Sequence, residues 1–215
     1  MTTKRMTILL ADDHDVVLEG LRRILDRPEF EVVGAVRDGW ALVESASRLR
    51  PELIVVDVSM PGLNGIEAAR QIARLGSKAT IIFLSMHAES SYAAEAITAG
   101  GAAYVLKEAA GRELLKAIEE ARKGRIYFSP TIAERAKRAL ELRRHVGSGA
   151  ADELTSRQHE VLQLLAEGKT PKEIAGMLNV SARTVEFHKY RIMEILGLKN
   201  IAELTTYAVR KGIVT

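Results

Sequence analysis

A chain of 215 residues is long enough for one or two domains, and its 47% apolar residues are sufficient for a buried core, which excludes a wholly disordered protein. The absence of Cys excludes disulfide scaffolds, thiol catalysis and thiolate metal sites. No apolar run approaches the roughly 18–20 residues that a membrane-spanning helix needs, so we expect a cytoplasmic protein without a membrane partner. The net charge is +3, and residues 124–151 contain six Lys and Arg against two Asp and Glu. This basic excess permits nucleic-acid binding but does not require it.

The first part of the chain alternates short apolar runs with amphipathic segments. The apolar runs predict five strands, at residues 7–11, 31–36, 53–57, 80–85 and 103–107. The amphipathic segments predict five helices, at residues 16–27, 39–50, 64–74, 91–99 and 112–123. Strict alternation of strand and helix is typical of a doubly wound α/β domain. We therefore predict a five-stranded parallel sheet of flavodoxin-like order 2-1-3-4-5 over residues 1–123.

The remainder of the chain divides into a linker and a helical domain. Residues 124–151 are predicted as a linker with a basic helix near 131–144, which begins after Ser129-Pro130. Residues 152–215 predict four helices, at about 156–167, 171–178, 182–196 and 201–211. The capping-box patterns of Thr155 with Gln158 and Thr170 with Glu173 mark two of the starts. The short turn between the second and third of these helices indicates a helix-turn-helix within a small all-α domain.

Chemically distinctive side chains lie at the carboxyl ends of four predicted strands. The first strand is followed by two acids, and the third, fourth and fifth end in an acid, a hydroxyl and a base: Asp12, Asp13, Asp57, Ser85 and Lys107. In a sheet of order 2-1-3-4-5 these ends are neighbours, so the side chains converge on one crevice. Three carboxylates together favour a cation, and oxygen ligands suit Mg²⁺. Taken singly, each acid has an ordinary alternative role as a helix cap.

These residues stand in stretches that resemble the receiver domain of two-component response regulators. The matching stretches are 8–14 (ILLADDH), 57–65 (DVSMPGLNG), 84–87 (LSMH) and 104–107 (YVLK). The resemblance implies that Asp57 accepts a phosphoryl group from a sensor histidine kinase and that Ser85 and Tyr104 form a switch pair beside Lys107. It also implies a Mg²⁺ or Mn²⁺ site formed by Asp12, Asp13, Asp57 and the backbone carbonyl of Ser59. Glu108 follows Lys107, where receivers often have Pro.

The predicted helix at 182–196 has two contrasting sides. Val185, His188 and Ile192 share one side, which we expect to pack on the other helices. The opposite side carries Arg183, Phe187 and Tyr190. Exposed aromatic side chains beside Arg indicate a contact surface, either for the DNA major groove or for a protein interface.

The C-terminal segment resembles the LuxR-type DNA-binding domain of the NarL/FixJ response regulators. The matching stretches are 154–162 (LTSRQHEVL), 172–175 (KEIA) and 181–188 (SARTVEFH). The resemblance implies contact of Glu186, Phe187 and Tyr190 with bases, whereas Arg183 suits either guanine or phosphate. Four further side chains are better placed for phosphates: Lys172, Thr184, Lys189 and Arg191. Several family members have Lys where Glu186 stands.

The last predicted helix commonly forms a dimer contact in this class, which implies double-stranded DNA with paired half-sites as the partner. The face that we assign to this contact comprises Ile201, Leu204, Thr205 and Ala208. The resulting hypothesis is a response regulator in which phosphorylation of Asp57 promotes homodimer formation and controls transcription. It is not an enzyme, beyond slow hydrolysis of its own phosphate. Alternatives are a phosphohydrolase, a regulator controlled without phosphorylation, and an autoinducer-binding LuxR-type regulator.

Overall fold

A computed structural model describes residues 4–146 and 154–214 of the chain. The chain forms two compact units, Met1–His145 and Val146–Thr215, and each is described by itself. Within the described residues, no helix is both long and apolar enough to cross a membrane.

In the part of the first unit that the structure describes, six strands form a parallel sheet. They are β1 (Met6–Ala11), β2 (Phe30–Val36), β3 (Leu53–Asp57), β4 (Thr80–Ser85), β5 (Gly101–Leu106) and β6 (Tyr127–Phe128). Their order is β2-β1-β3-β4-β5-β6, and all five pairings are parallel. The predicted class and the order of the first five strands are confirmed, but the predicted count of five is corrected to six.

Helices cover both faces of this sheet. They are α1 (Asp15–Ile24), α2 (Gly39–Leu49), α3 (Gly65–Arg74), α4 (Ser90–Thr98), α5 (Ala110–Arg122) and α6 (Ala133–Val146). Alternate residues of each strand point to opposite faces, so Val55 and Ile82 pack in the layer with α1 and α5, whereas Val56 and Phe83 pack in the other layer. Burial on both faces explains why β3 and β4 are nearly continuous apolar runs.

Part of the segment predicted as a linker packs against the sheet. In β6, Phe128 pairs with Tyr104 of β5, and the backbone N–H of Ser129 donates to the Tyr104 carbonyl at 3.0 Å. Ile132 and the α6 residues Ala136 and Leu140 are buried in the same apolar layer as α4. A two-residue strand is too short to show a period in the sequence, which is why β6 was not predicted. The exact limits of the predicted domains stay predictions.

Over the described residues 154–214, the second unit contains four helices, α7 (Ser156–Ala166), α8 (Pro171–Met177), α9 (Ala182–Leu196) and α10 (Ile201–Arg210). Both predicted capping boxes are present, at Thr155 with Gln158 and at Thr170 with Glu173. The α8–α9 turn places Asn179 at φ 52°, and the Ser181 hydroxyl then accepts the N–H of Thr184 at 3.1 Å to cap α9. This short turn fixes α8 and α9 as a helix-turn-helix.

Candidate functional site

The carboxyl ends of β1, β3 and β5 bring together an acidic pocket, which we define as Asp12, Asp13 and Asp57 with Lys107. Asp12 directly follows β1, Asp57 is the last residue of β3, and Lys107 opens a short 3₁₀ turn (Lys107–Ala109) after β5. Asp12 and Asp57 are both buried. The sequence thus folds into the crevice that the strand order predicted.

A glycine permits the chain to return tightly past the pocket. A Cβ atom at Gly65, the first residue of α3, would lie 2.1 Å from the carbonyl oxygen of Asp57. Asn64 caps α3 by accepting the N–H of Glu67 at 2.9 Å. The close approach of α3 therefore holds the backbone of the candidate phosphoacceptor, and only Gly fits without a shift.

A single cation bridges the two buried acids. Lys107 Nζ lies 2.8 Å from Asp12 Oδ2 and 2.8 Å from Asp57 Oδ2. Its side chain is only 10% exposed, so the pairs are shielded from solvent. One positive charge facing two carboxylates leaves the pocket acidic.

Burial and charge shift two pKa values in this pocket. Burial raises the pKa of Asp57 to about 6, and the Asp12 carboxylate adds to this, although Lys107 and the N–H of Ser59 oppose it. Burial alone would lower the pKa of Lys107, but the Asp57 and Asp12 carboxylates together raise it above its usual value. The lysine therefore stays charged. The charged form of Asp57 is destabilised by burial, and a further cation in the pocket would offset this destabilisation.

The donor set of the pocket fits a divalent cation. Ligand atoms of Asp12, Asp13, His14 and Asp57 all lie within 4.8 Å of one another. Carboxylate oxygens are the ligands that Mg²⁺ and Mn²⁺ prefer. His14 lies at the rim, with Nδ1 2.8 Å from Asp13 Oδ1 and a side chain that is 62% exposed. Ser59 lies against the pocket because its N–H donates to Asp57, and its carbonyl as a ligand stays a prediction.

The predicted switch residues form a closed hydrogen-bond network beside the pocket. Tyr104 is fully buried, and its hydroxyl donates to the His87 carbonyl at 2.9 Å. Ser85 Oγ accepts the His87 N–H at 3.0 Å and also hydrogen-bonds the Tyr104 hydroxyl. Burial raises the pKa of Tyr104 well above its usual value, against the effect of Ser85. In this structure the tyrosine ring therefore points inward and is tied to β4.

A buried serine that the sequence did not single out connects β5 to α5. Ser129 Oγ accepts the N–H of Leu106, the residue before Lys107, at 3.0 Å and donates to the Glu113 carboxylate. Its side chain is fully buried. The only sequence signal was the Ser129-Pro130 helix start, which suggested a local cap and not a tertiary contact.

In the second unit the outward side of α9 matches the predicted contact surface. We call Arg183, Phe187 and Tyr190 the aromatic face of α9; Phe187 is 61% and Tyr190 64% exposed. Val185 and Ile192 are fully buried on the opposite side. Lys172 and Arg191 are exposed, as phosphate contacts would need, whereas the Thr184 hydroxyl lies 2.9 Å from Ser181 Oγ in the helix cap. Glu186 forms an ion pair with Lys189.

The predicted dimer contact on α10 requires a correction. Leu204 and Ala208 are fully buried within the unit, where α10 packs on α7, so neither lies on a surface that a second copy contacts. Ile201 is 48% exposed and Thr205 is partly exposed. Half of the predicted face therefore belongs to the core of its own unit, and a dimer contact through Ile201 and Thr205 stays a prediction.

Two family comparisons cover the two units. Residues 8–119 match the family described as the response regulator receiver domain. Residues 152–208 match the family described as bacterial regulatory proteins of the luxR family. Together the two matches include the whole acidic pocket, the helix-turn-helix and α9.

Relatives match along nearly the whole chain. Response regulator UvrY of Escherichia coli (strain K12) is 34% identical over 210 residues, which covers 97% of this chain and 95% of that protein. A solved structure of RcsB from Salmonella enterica serovar Typhimurium, bound to promoter P1flhDC in the presence of phosphomimetic BeF3-, has 31% identity and a TM-score of 0.66 over 95% of this chain and 98% of that chain. A structure of two RcsB dimers bound to two parallel DNAs has 29% identity and a TM-score of 0.58 over 99% of this chain and 100% of that chain.

Proposed function

The chain belongs to the DNA-binding response regulators that join a receiver domain to a LuxR-type output domain, and from this premise we propose that phosphorylation of Asp57 controls its dimerisation and its binding to DNA. The observation that carries the proposal is the position of Lys107, 2.8 Å from both the Asp12 and the Asp57 carboxylates at the strand ends. A buried acid beside a fixed cation is suited to accept a phosphoryl group and to hold its charge.

Asp57 is the proposed nucleophile, and the phosphohistidine of a sensor histidine kinase is the proposed donor. The Asp57 carboxylate attacks phosphorus while the phosphorus–nitrogen bond to the histidine breaks. Asp12, Asp13, Asp57 and the Ser59 carbonyl would hold Mg²⁺ or Mn²⁺, which would supply positive charge against the phosphoryl oxygens. Lys107 then exchanges its contact with the Asp57 carboxylate for a phosphoryl oxygen.

The Ser85–Tyr104 network is the proposed readout. A phosphoryl group on Asp57 presents new acceptor oxygens at the end of β3, next to β4 and its terminal Ser85. Reorientation of the Ser85 hydroxyl towards phosphate breaks its hydrogen bond to the Tyr104 hydroxyl and so changes how firmly the inward ring is held. A local charge change that biases a two-position element is a recognised kind of switch.

For the output unit we propose double-stranded DNA with paired half-sites as the partner, read by α9. Support comes from the exposed aromatic face of α9 and from the RcsB relatives, whose solved structures include DNA complexes and dimers bound to DNA. Dimerisation raises affinity because the second half-site is engaged at a high effective concentration. We propose that the protein acts in the cytoplasm, together with its DNA. We propose no enzymatic activity for it beyond slow autodephosphorylation.

The test is phosphorylation of the purified full chain with a small-molecule phosphodonor and Mg²⁺. We expect intact mass to rise by one phosphoryl group, and sedimentation to report a dimer. The Asp57→Asn variant should show neither change, and omission of the divalent cation should strongly slow the reaction of the native chain. A native chain that gains no mass with fresh donor and ample Mg²⁺ would contradict the proposal and favour control without phosphorylation.

A second readout separates the regulator from a phosphohydrolase. We expect one phosphoryl group per chain and slow release of phosphate, because Ser59 stands where a phosphohydrolase of this type carries its second acid. Many turnovers of the donor per minute, measured as free phosphate, would support the phosphohydrolase instead.

A further inference from the structure

Helix α9 has little free positive charge. Helix α9 contains three Lys and Arg residues, and two of them are paired with acids of the same helix: Lys189 with Glu186 and Arg191 with Glu194. Among the residues that the structure describes, no acid pairs with Arg183. Attraction to phosphates therefore explains only part of what this helix is built to contact.

Two large rings dominate the same face. Phe187 and Tyr190 are three residues apart on α9, so they are neighbours on the helix surface, and both are more than 60% exposed. The Tyr190 ring lies 4.9 Å from Lys189 Nζ, whereas the ring contact of Phe187 is an edge contact with its neighbour His188. The Phe187 side chain has no polar group, so any contact that its ring makes is an apolar one.

We infer that Phe187 determines sequence preference by contacting the C5-methyl group of a thymine in each half-site. This inference rests on the proposed function of α9. Thymine is the only base that presents a methyl group in the major groove. Against guanine, adenine or cytosine, the same ring would cover donors and acceptors without bonding them, which is costly. Phe187 therefore favours thymine both by attraction and by exclusion of the other bases.

The ion pair beside Phe187 supports this assignment. Glu186 on its own would repel the phosphates, but its pair with Lys189 neutralises it. Lys189 in turn is held over the Tyr190 ring. Because Glu186 pairs with Lys189 and Lys189 lies over the Tyr190 ring, the apolar ring of Phe187 is the side chain in the middle of the face that is free to approach a base edge.

The experiment begins with selection of the full chain, with and without phosphodonor, on a random library of duplex DNA. Each thymine of the enriched half-site is then replaced by deoxyuridine, which lacks only the methyl group. We expect replacement of the contacted thymine in one of the two half-sites to weaken binding by about fourfold, the factor that corresponds to roughly 0.8 kcal/mol for one buried methyl group. In Phe187→Ala the thymine and deoxyuridine sites should bind equally, which is a double-mutant cycle between ring and methyl.

Met177→Ala is the matched control, because Met177 is a large apolar side chain on α8 that is 47% exposed and lies outside the aromatic face. It should keep the full fourfold effect of deoxyuridine. Enrichment of a sequence without any deoxyuridine effect, or an effect that persists in Phe187→Ala, overturns the inference. Loss of the dimer in Phe187→Ala with unchanged DNA selectivity also overturns it and assigns the ring to a protein interface. Failure to enrich any sequence contradicts the proposed function itself.

Discussion

The acidic pocket takes Asp57 and Lys107 from strands that are distant in the sequence, whereas the aromatic face of α9 takes Phe187 and Tyr190 from one helix. In the pocket Asp12, Asp57 and Lys107 are at most 10% exposed and ion-paired, whereas on α9 the rings are more than 60% exposed. Ion pairs and burial therefore tie a pocket residue to the folded structure, and its substitution changes folding as well as chemistry. A residue of the aromatic face contributes little to folding, so its substitution should change binding alone.

The largest effect should come from removal of the buried cation. Lys107→Met keeps the length of the side chain but leaves Asp12 and Asp57 without a counter-charge, which should lower the free energy of unfolding by about 3–5 kcal/mol at pH 7. Chemical denaturation in EDTA measures this. Lys123→Met is the control, because Lys123 pairs with Glu119 on an exposed helix surface, where ion pairs contribute little. Equal effects of the two variants would mean that the pocket is as open to solvent as the surface.

The pH dependence of stability should identify Asp57 as the carboxyl group whose charged form is disfavoured by burial. Its pKa is raised from 3.8 to about 6, so between these values the folded state holds a proton that the unfolded state has lost. Stability of the metal-free protein should therefore fall as pH rises from about 4 to about 6, by roughly 3 kcal/mol from this group.

Asp57→Asn should remove that part of the pH profile, measured by denaturation in EDTA. Asp26→Asn, which changes an exposed carboxylate, should preserve it. An Asp57→Asn profile that still falls over this range would assign the pH dependence to another group.

The close approach of the start of α3 to the backbone of Asp57 gives a third test. Gly65→Ala places a Cβ 2.1 Å from the Asp57 carbonyl oxygen, and the resulting shift should cost about 1–3 kcal/mol of stability. Gly20→Ala in α1 meets no atom within 4 Å and should stabilise the protein by about 0.5–1 kcal/mol through helix propensity. Thermal unfolding of both variants is sufficient. A neutral Gly65→Ala would show that α3 does not hold the pocket backbone.

The smallest effect on folding should come from the aromatic face. Phe187→Ala should change the free energy of unfolding by less than about 0.5 kcal/mol, as is usual for an exposed site. Ile192→Ala on the buried side of the same helix should cost about 2–5 kcal/mol. Urea denaturation of the pair compares them directly. A strongly destabilised Phe187→Ala would erase the contrast between the pocket and this face.

Much of the architecture was readable from the sequence because local patterns encode it. Continuous apolar runs identified β3 and β4, since a strand covered on both faces has no polar side. The two capping boxes marked helix starts through side chains that bond their own backbone. The candidate pocket followed from the same patterns, because parallel strands bring their carboxyl ends to one edge.

Tertiary structure decided what no local pattern encodes. It paired the short β6 with β5, placed the buried Ser129 against Leu106, and buried Leu204 and Ala208 of α10 in the core of their own unit. The sequence by itself determined which residues form strands and helices and which acids meet at the sheet edge, because periodicity and chain order are local properties. Which part of an apolar stripe is covered by the protein's own core depends on the placement of a second element. That placement is fixed only when the whole unit packs, since the free energy of burial belongs to both surfaces in contact.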